Sequence, residues 1–324
     1  MHYAELKRFH DLPLFELLQK ARRVHEAHWP ENEVQLCTLL SIKTGGCSED
    51  CSYCAQSSHY STGVDRERLL CVDDVMERAE AAVANGSTRF CMGAAWKGVK
   101  AGTPRFDKVC EIVREVSKTG MEVCVTLGEL DAEAAHQLRE AGVTAYNHNI
   151  DTSPEHYPNV VTTHTFEDRL RTIGHAQEAG MSVCCGGILG LGENTEDRLK
   201  MIEVISEFSP QPESVPINKL MPMPGTPLAG GEPVTVFDLV RIIAVTRLAV
   251  PQAKVRLSAG RTALSEEGQT LCFFAGANSI FYGEKLLTAK NPQVEADQAL
   301  IAKLGMAPQA PKPLAPAEAA EMLA

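Results

Sequence analysis

Eight short runs rich in apolar and β-branched residues recur along this chain, at 36–42, 88–93, 122–127, 144–150, 182–188, 214–220, 254–258 and 279–282. Amphipathic helical periodicity fills much of the space between them, most clearly at 73–85, 106–119, 132–141, 195–208 and 236–250. Gly120, Gly142 and Gly180 each follow a helical stretch and precede a strand, where glycine ends a helix. Strands that alternate with helices build parallel sheets, and eight such units predict an α/β fold, the (β/α)8 barrel of the TIM type. A doubly wound Rossmann sheet competes with this reading. However, the segment after the first strand carries cysteines where that fold needs a glycine-rich phosphate loop.

The predicted barrel domain spans 1–290, including an N-terminal helix in which Glu5, Lys7, Arg8 and Asp11 alternate with apolar residues. That pattern reads as an amphipathic helix and not as a secretory leader. From 291 the composition shifts, and Pro308, Pro311, Pro313 and Pro316 crowd a Pro/Ala-rich stretch. The segment 291–324 is therefore expected to be an extended or disordered, flexible C-terminal tail. Lys and Arg number 31 against 42 Asp and Glu, a net charge of −11 that argues against nucleic-acid binding. No window approaches the ~18 apolar residues of a membrane span. Eleven cysteines without a leader point to a reducing cytoplasm and metal chemistry.

Three of those cysteines, Cys47, Cys51 and Cys54, lie in the first βα loop, spaced C-x3-C-x2-C with Tyr53 before the third. Soft thiolates in one loop select zinc, copper(I) or an iron–sulfur cluster. A four-iron cube on three protein ligands keeps one iron open for a substrate or cofactor. A structural zinc completed by His59 is the alternative, but C-x3-C is an awkward zinc spacing and no second C-x-x-C lies nearby. Cys91, Cys124 and Cys184 fall inside three other predicted strands, and Arg256 inside a fourth. Alternating side chains of a barrel strand face the axis, so these four positions can converge inside it. A lone strand cysteine usually just fills core space. A strand arginine, in contrast, needs an anionic partner when buried.

The cysteine loop, aromatic included, resembles the signature of the radical S-adenosylmethionine (SAM) enzymes. Four longer runs narrow that resemblance to the biotin synthase family. They are Tyr146 to Glu155, Val215-Pro216-Ile217-Asn218, Val255 to Arg261, and Ala275 to Gly283. The similarity covers about 36–292, in matching order. It implies insertion of one sulfur into dethiobiotin to give biotin, with two SAM consumed per product. Cys47, Cys51 and Cys54 would hold a [4Fe–4S] cluster that reduces SAM to the 5′-deoxyadenosyl radical. A [2Fe–2S] cluster on Cys91, Cys124, Cys184 and Arg256 would donate the sulfur. The resemblance further implies a flavodoxin or ferredoxin as electron donor, and a homodimer.

Carried over position by position, Tyr53 approaches the SAM adenine, and Asn149 and Asp151 take its ribose hydroxyls. Arg169 pairs with the methionyl carboxylate, while Ala94 and Met221 are further contacts. The run Gly186 to Glu193 matches the family's G-x-I-x-G-x-x-E pattern, which sets Ile188 against the adenine. Asn147, Asn149 and Asn218 suit the ureido ring of the substrate, and Thr288 its carboxylate. Cys185 should face away from the axis. Cys37, Cys71, Cys110 and Cys272 match no ligand and are read as core or surface residues. The chain departs from the family at His164, where an arginine is common, and at Ala289 and Lys290, where threonine and proline often follow Thr288. Lys290 would then be a possible attractor for the substrate carboxylate. Another radical SAM enzyme on the same barrel, acting on a different substrate, is the alternative function.

Overall fold

The computed structural model describes residues 1–29 and 31–311. Eight strands form the barrel, here β1 Glu33–Lys43, β2 Arg89–Ala94, β3 Glu122–Thr126, β4 Ala145–Asn147, β5 Ser182–Cys184, β6 Ser214–Lys219, β7 Lys254–Leu257 and β8 Ser279–Phe281. Each pairs in parallel with the next, and β8 pairs with β1, so the sheet closes on itself as the alternation predicts. All eight predicted strands are present, and every expected helix has its counterpart. Two further helices, Phe166–Glu178 and Glu266–Phe274, complete the outer ring.

The seam between β5 and β6 is the thinnest, with Cys184 opposite Ser214 as its one register pair. Its cause is local. Pro216 has no N–H to give the ladder, and Gly186 sits so close that a Cβ there would fall 1.9 Å from the Pro216 carbonyl oxygen. Pairing resumes beyond this break, where Gly187–Leu189 runs beside Ile217–Lys219. The predicted single strand over 182–188 is thus split in two, and the split lies at the mouth of the barrel.

The other end is closed by charge. Arg89 at the start of β2 donates to Glu122 at 2.9 Å and to Glu213 at 2.6 Å, and Lys254 lies 3.1 Å from Glu213. These groups neutralise one another at the N-terminal ends of the strands, as buried charges must. The N-terminal helices Tyr3–His10 and Leu14–His28 bury Leu6, Leu17, Leu18 and Ala21. Arg241 fixes their junction by donating to the His10 and Leu12 carbonyls.

The expectation of an extended tail from 291 needs correction. Val294–Lys303 is a helix with Leu300 and Ile301 buried, and its Asp297 forms a buried ion pair with Arg261, Nη1 to Oδ2 at 3.0 Å. Ala307 and Pro308 then pair with the start of β1. Prolines flank this segment but leave its interior free, so an apolar helix face can form between them. The prolines at 313 and 316 lie outside the described residues. Among the described residues, no helix is long and apolar enough to cross a membrane.

Candidate active site

The loop after β1 must reverse within a few residues, and Gly45 and Gly46 do so with φ of +66° and +65°. A Cβ on Gly45 would meet the Asp65 carbonyl oxygen at 2.3 Å, so only glycine fits. Backbone bonds then fix the thiol loop. The Cys47 amide donates to Gln56 at 2.9 Å, the Ser58 amide to Cys47 at 2.7 Å, and the Cys54 amide to Cys51 at 2.9 Å. Two carboxylates between the cysteines tie the loop to 162–164. Asp50 accepts from the Thr162 and Thr163 amides at 2.9 and 3.2 Å. Glu49 accepts from the Thr163 hydroxyl and pairs with the His164 ring, with Lys97 at 3.4 Å from its other oxygen. Burial works against both charges, but these donors outweigh it and hold each carboxyl at about 2. At the His164 departure the chain therefore places a ring that clamps the cysteine loop.

Burial pushes the Cys54 thiol up to about 11 and raises Cys47 and Cys51 as well. Such thiols become thiolates when a metal takes the place of their protons. A lone zinc fits poorly. Its four ligand atoms would crowd within about 4 Å of one another. Among the described residues, only the surface set His2, Glu203 and Glu207 brings three ligand atoms within 4.8 Å of one another. His59, the fourth ligand zinc would require, is exposed and holds the Ser48 carbonyl at 3.0 Å. Soft donors too far apart for one ion suit a cluster, in which each thiolate binds a different iron.

Beside this loop, Asp151 takes the left-handed conformation at φ +66°, rare for a residue with a Cβ. Its Oδ2 accepts from the Tyr53 hydroxyl and from Arg169 Nη2, each at 2.9 Å, and Arg169 Nε donates to the Tyr157 hydroxyl at 2.7 Å. The strained backbone is held from β5–β6, because the Ile188 amide donates to the Asp151 carbonyl at 2.8 Å. Glu193 supports that turn. It accepts from the Gly190 and Leu191 amides at 2.9 and 2.6 Å and from Arg198 at 2.7 Å. Thus the glutamate of the glycine-rich run braces the loop that presents Ile188.

Deeper in the barrel, three asparagines stitch strand ends together. Asn147 donates to the Cys184 carbonyl at 3.2 Å and accepts from Thr126 at 3.0 Å. Asn149 accepts from the Gly186 amide at 3.1 Å. Asn218 donates to the Gly187 carbonyl at 3.0 Å and accepts from the Ala259 amide at 3.2 Å. A primary amide has two N–H groups and two lone pairs, so each keeps capacity for a ligand.

At the bottom, Cys91 and Cys124 are register partners on β2 and β3, and Cys184 joins them in a buried layer with Cys37 and Ala145. Arg256 lies fully buried over the Phe281 ring, at 4.9 Å from its centroid. It donates through Nε to Ser279 at 3.0 Å, through Nη1 to the Cys184 sulfur at 3.5 Å, and through Nη2 to the Cys37 sulfur at 3.3 Å. Burial favours loss of its proton, but the Cys37, Cys184 and Cys91 sulfurs outweigh that and keep it charged. This layer is soft, buried and carries one cation, a donor set that fits an anionic iron–sulfur cluster.

One cavity of about 370 Å³ connects these layers. Among the residues singled out from sequence, Cys47, Cys51, Tyr53, Cys54, Cys91, Ala94, Cys124, Asn147, Asn149, Asp151, Arg169, Ile188, Asn218, Met221, Arg256 and Thr288 all line it. Cys184 lies just behind the wall, fully buried. Lys290, by contrast, is exposed and is not part of the lining, so the departure there adds no cation to the cavity. Cys185 belongs to the general apolar core, as its facing predicts. Neither the contact of Cys37 with Arg256 nor the pairing of Glu49 with the departing His164 is marked by cysteine spacing. Cys37 is core, as expected, yet its sulfur also sits on Arg256. The signal was available, since Cys37 is two residues from Leu39, which pairs with Cys91 and faces the same way.

The chain matches the Radical SAM superfamily over residues 41–205 and the Biotin and Thiamin Synthesis associated domain over 216–307. A biotin synthase of Myxococcus xanthus is 54% identical over 309 residues, covering 95% of this chain and 89% of that one. A biotin synthase of Gloeobacter violaceus is 55% identical over 306 residues, covering 94% and 96%. Among solved structures, a methylornithine synthase superposes with a TM-score of 0.80 at 20% identity, covering 95% of this chain and 94% of that one. At that identity the likeness shows the barrel alone.

Proposed function

The chain belongs to the biotin synthase family of radical SAM enzymes, which insert sulfur by SAM-derived radical chemistry. From that premise we propose that its cavity takes dethiobiotin and SAM together and releases biotin. In this reading Cys47, Cys51 and Cys54 hold a [4Fe–4S] cluster at the mouth, and Cys91, Cys124, Cys184 and Arg256 hold a [2Fe–2S] cluster at depth. When bound, these groups supply the electron, the radical and the sulfur, which no side chain can deliver to an unactivated C–H bond.

The residues between the two thiol layers bind and orient. Arg169, braced by Asp151 and Tyr157, is suited to the methionyl carboxylate, since a guanidinium fork matches two oxygens. Tyr53, Ile188, Ala94 and Met221 offer the surfaces for adenine, and Asn149 and Asp151 the partners for a ribose diol. The free N–H and lone pairs of Asn147, Asn149 and Asn218 suit a ureido ring, with Thr288 toward the acid end of the chain. The inner layer lies buried inside the closed barrel, and a site away from water protects a reactive radical. Flavodoxin or ferredoxin as donor, a homodimer and a cytoplasmic setting complete the proposal. Eleven cysteines, all free, suit that reducing compartment.

The observation that carries this reading is that one cavity of about 370 Å³ is lined by Cys47, Cys51 and Cys54 and by Cys91, Cys124 and Arg256, with the polar residues between them. Anaerobic incubation of reconstituted protein with SAM, reductant and dethiobiotin tests it by mass spectrometry. Biotin with 5′-deoxyadenosine is the expected result. Deoxyadenosine without biotin, from protein carrying both clusters, would remove the substrate assignment.

A further inference from the structure

We propose that Cys37 is a fourth thiol donor to the inner cluster, sharing with Arg256 the coordination position that the three strand cysteines leave. This rests on the reading of Cys91, Cys124 and Cys184 as cluster ligands.

Cys37 is brought to the inner layer by packing, one inward position before Leu39, the partner of Cys91. It lies on β1 at the level of Arg89 and Phe281, fully buried, and packs with Cys91, Cys124, Cys184 and Ala145 in a layer separate from the main apolar core. Its surroundings are polar for a core thiol. The Gln35 side-chain oxygen lies at 3.4 Å, the Ser279 hydroxyl at 3.6 Å and Arg256 Nη2 at 3.3 Å. The two terminal nitrogens of one guanidinium thus rest on two sulfurs, Cys184 and Cys37. Arg256 therefore bridges the Cys184 sulfur, which the proposed cluster would bind, and the Cys37 sulfur.

The chemistry favours the sulfur. A guanidinium has five N–H donors and no lone pair to offer while charged, and its proton is held strongly. Iron in a sulfide cluster prefers a soft thiolate. In the exchange one Fe–N bond breaks, one Fe–S bond forms, and the Cys37 thiol proton ends on the freed arginine nitrogen. The guanidinium then stays beside the sulfur as counter-cation, so the buried layer gains no net charge.

The test uses full-length protein reconstituted with iron and sulfide, compared as wild type, Cys37→Ser, Arg256→Met and the double variant. Inner-cluster iron and sulfide and the visible absorption spectrum are the readouts. Arg256→Met is expected to keep the inner cluster, with the spectrum of an all-thiolate site. Adding Cys37→Ser to it should lower inner iron and sulfide about ten-fold, the scale of losing a metal-supporting group. Retention of the outer cluster in every variant, and of the inner cluster in Cys37→Ser alone, reports that the barrel is folded. Loss of the inner cluster in Arg256→Met overturns the proposal, as does a double variant with the content and spectrum of Arg256→Met. A Cys91→Ser control distinguishes the underlying reading. If that variant keeps its inner cluster, the cysteine assignment itself fails.

Discussion

The outer and inner thiol layers solve the same problem with opposite means. The outer cysteines come from one loop, whose shape depends on two left-handed glycines and on carboxylates clamped to a neighbouring loop. The inner ones come from separate strands, and the parallel ladder of the barrel alone sets their spacing. A loop can give way while the barrel stands, whereas the inner layer moves only if the strands move. The outer layer suits a site that must admit and release a cofactor. The inner layer suits a site that must hold its contents in place, and there a spare thiol lies on the arginine.

The most severe break in this comparison is Cys47→Ala. Deoxyadenosine formation should fall to background, a loss of more than about 100-fold in a reaction the side chains cannot perform unaided. Inner iron and sulfide should remain, and loss of both clusters would contradict separate sites.

Arg89→Met attacks the inner layer from below. It takes one cation from Glu122 and Glu213, which keep Gln35 and Lys254 respectively, and removing one member of a buried ion network costs about 3–5 kcal/mol. The melting temperature should drop strongly. The same network predicts acid sensitivity. Burial opposes the Glu213 charge, but Arg89 and Lys254 hold its carboxyl below the ordinary 4.5. A group with a depressed folded value stabilises fully above its unfolded value, so this contribution is lost as pH falls below about 4.5 and not as pH rises. A wild-type melting curve insensitive to Arg89→Met would show that the floor is not braced this way.

Asp151→Asn sharpens the comparison at the mouth. It weakens the bonds from Tyr53 and Arg169, each a charge-assisted bond of about 1.5–3 kcal/mol. The KM for SAM should rise about ten-fold, with both cluster contents unchanged. An unaltered KM would remove Asp151 from SAM binding.

The smallest effect is expected from Asp50→Asn, which loosens the outer loop. The Thr162 and Thr163 amides and the Thr162 hydroxyl overcome burial and hold Asp50 at about 2, below the ordinary 3.8. The stability it contributes is present above about 3.8 and lost as pH falls toward 2. The variant should melt a few degrees lower near neutral pH, and the gap should close in acid. A gap that stays constant with pH would mean that the charge is irrelevant to the clamp.

The unequal legibility of the two layers has the same origin. Cys47, Cys51 and Cys54 reveal a site by spacing alone, because a loop keeps its ligands adjacent in sequence. Cys91, Cys124, Cys184 and Arg256 become a site only once strands are assigned and their inward faces aligned. Cys37 satisfies the same alternation, yet it matches no ligand position of the family and reads as a packing residue until its contact with Arg256 is seen. Glu49 and His164 were hidden for another reason. Their pairing joins two loops far apart in sequence, and no periodicity connects loops. The helix at Val294–Lys303 was obscured by the prolines on either side, although Leu300 and Ile301 already marked a buried face.

The division of labour between the layers is tested most directly by Cys124→Ser, reconstituted and shown to keep its outer cluster. Incubated anaerobically with SAM, reductant and dethiobiotin, it should still form 5′-deoxyadenosine but no biotin. Biotin from that variant at the wild-type yield would contradict the claim that the inner layer supplies the sulfur.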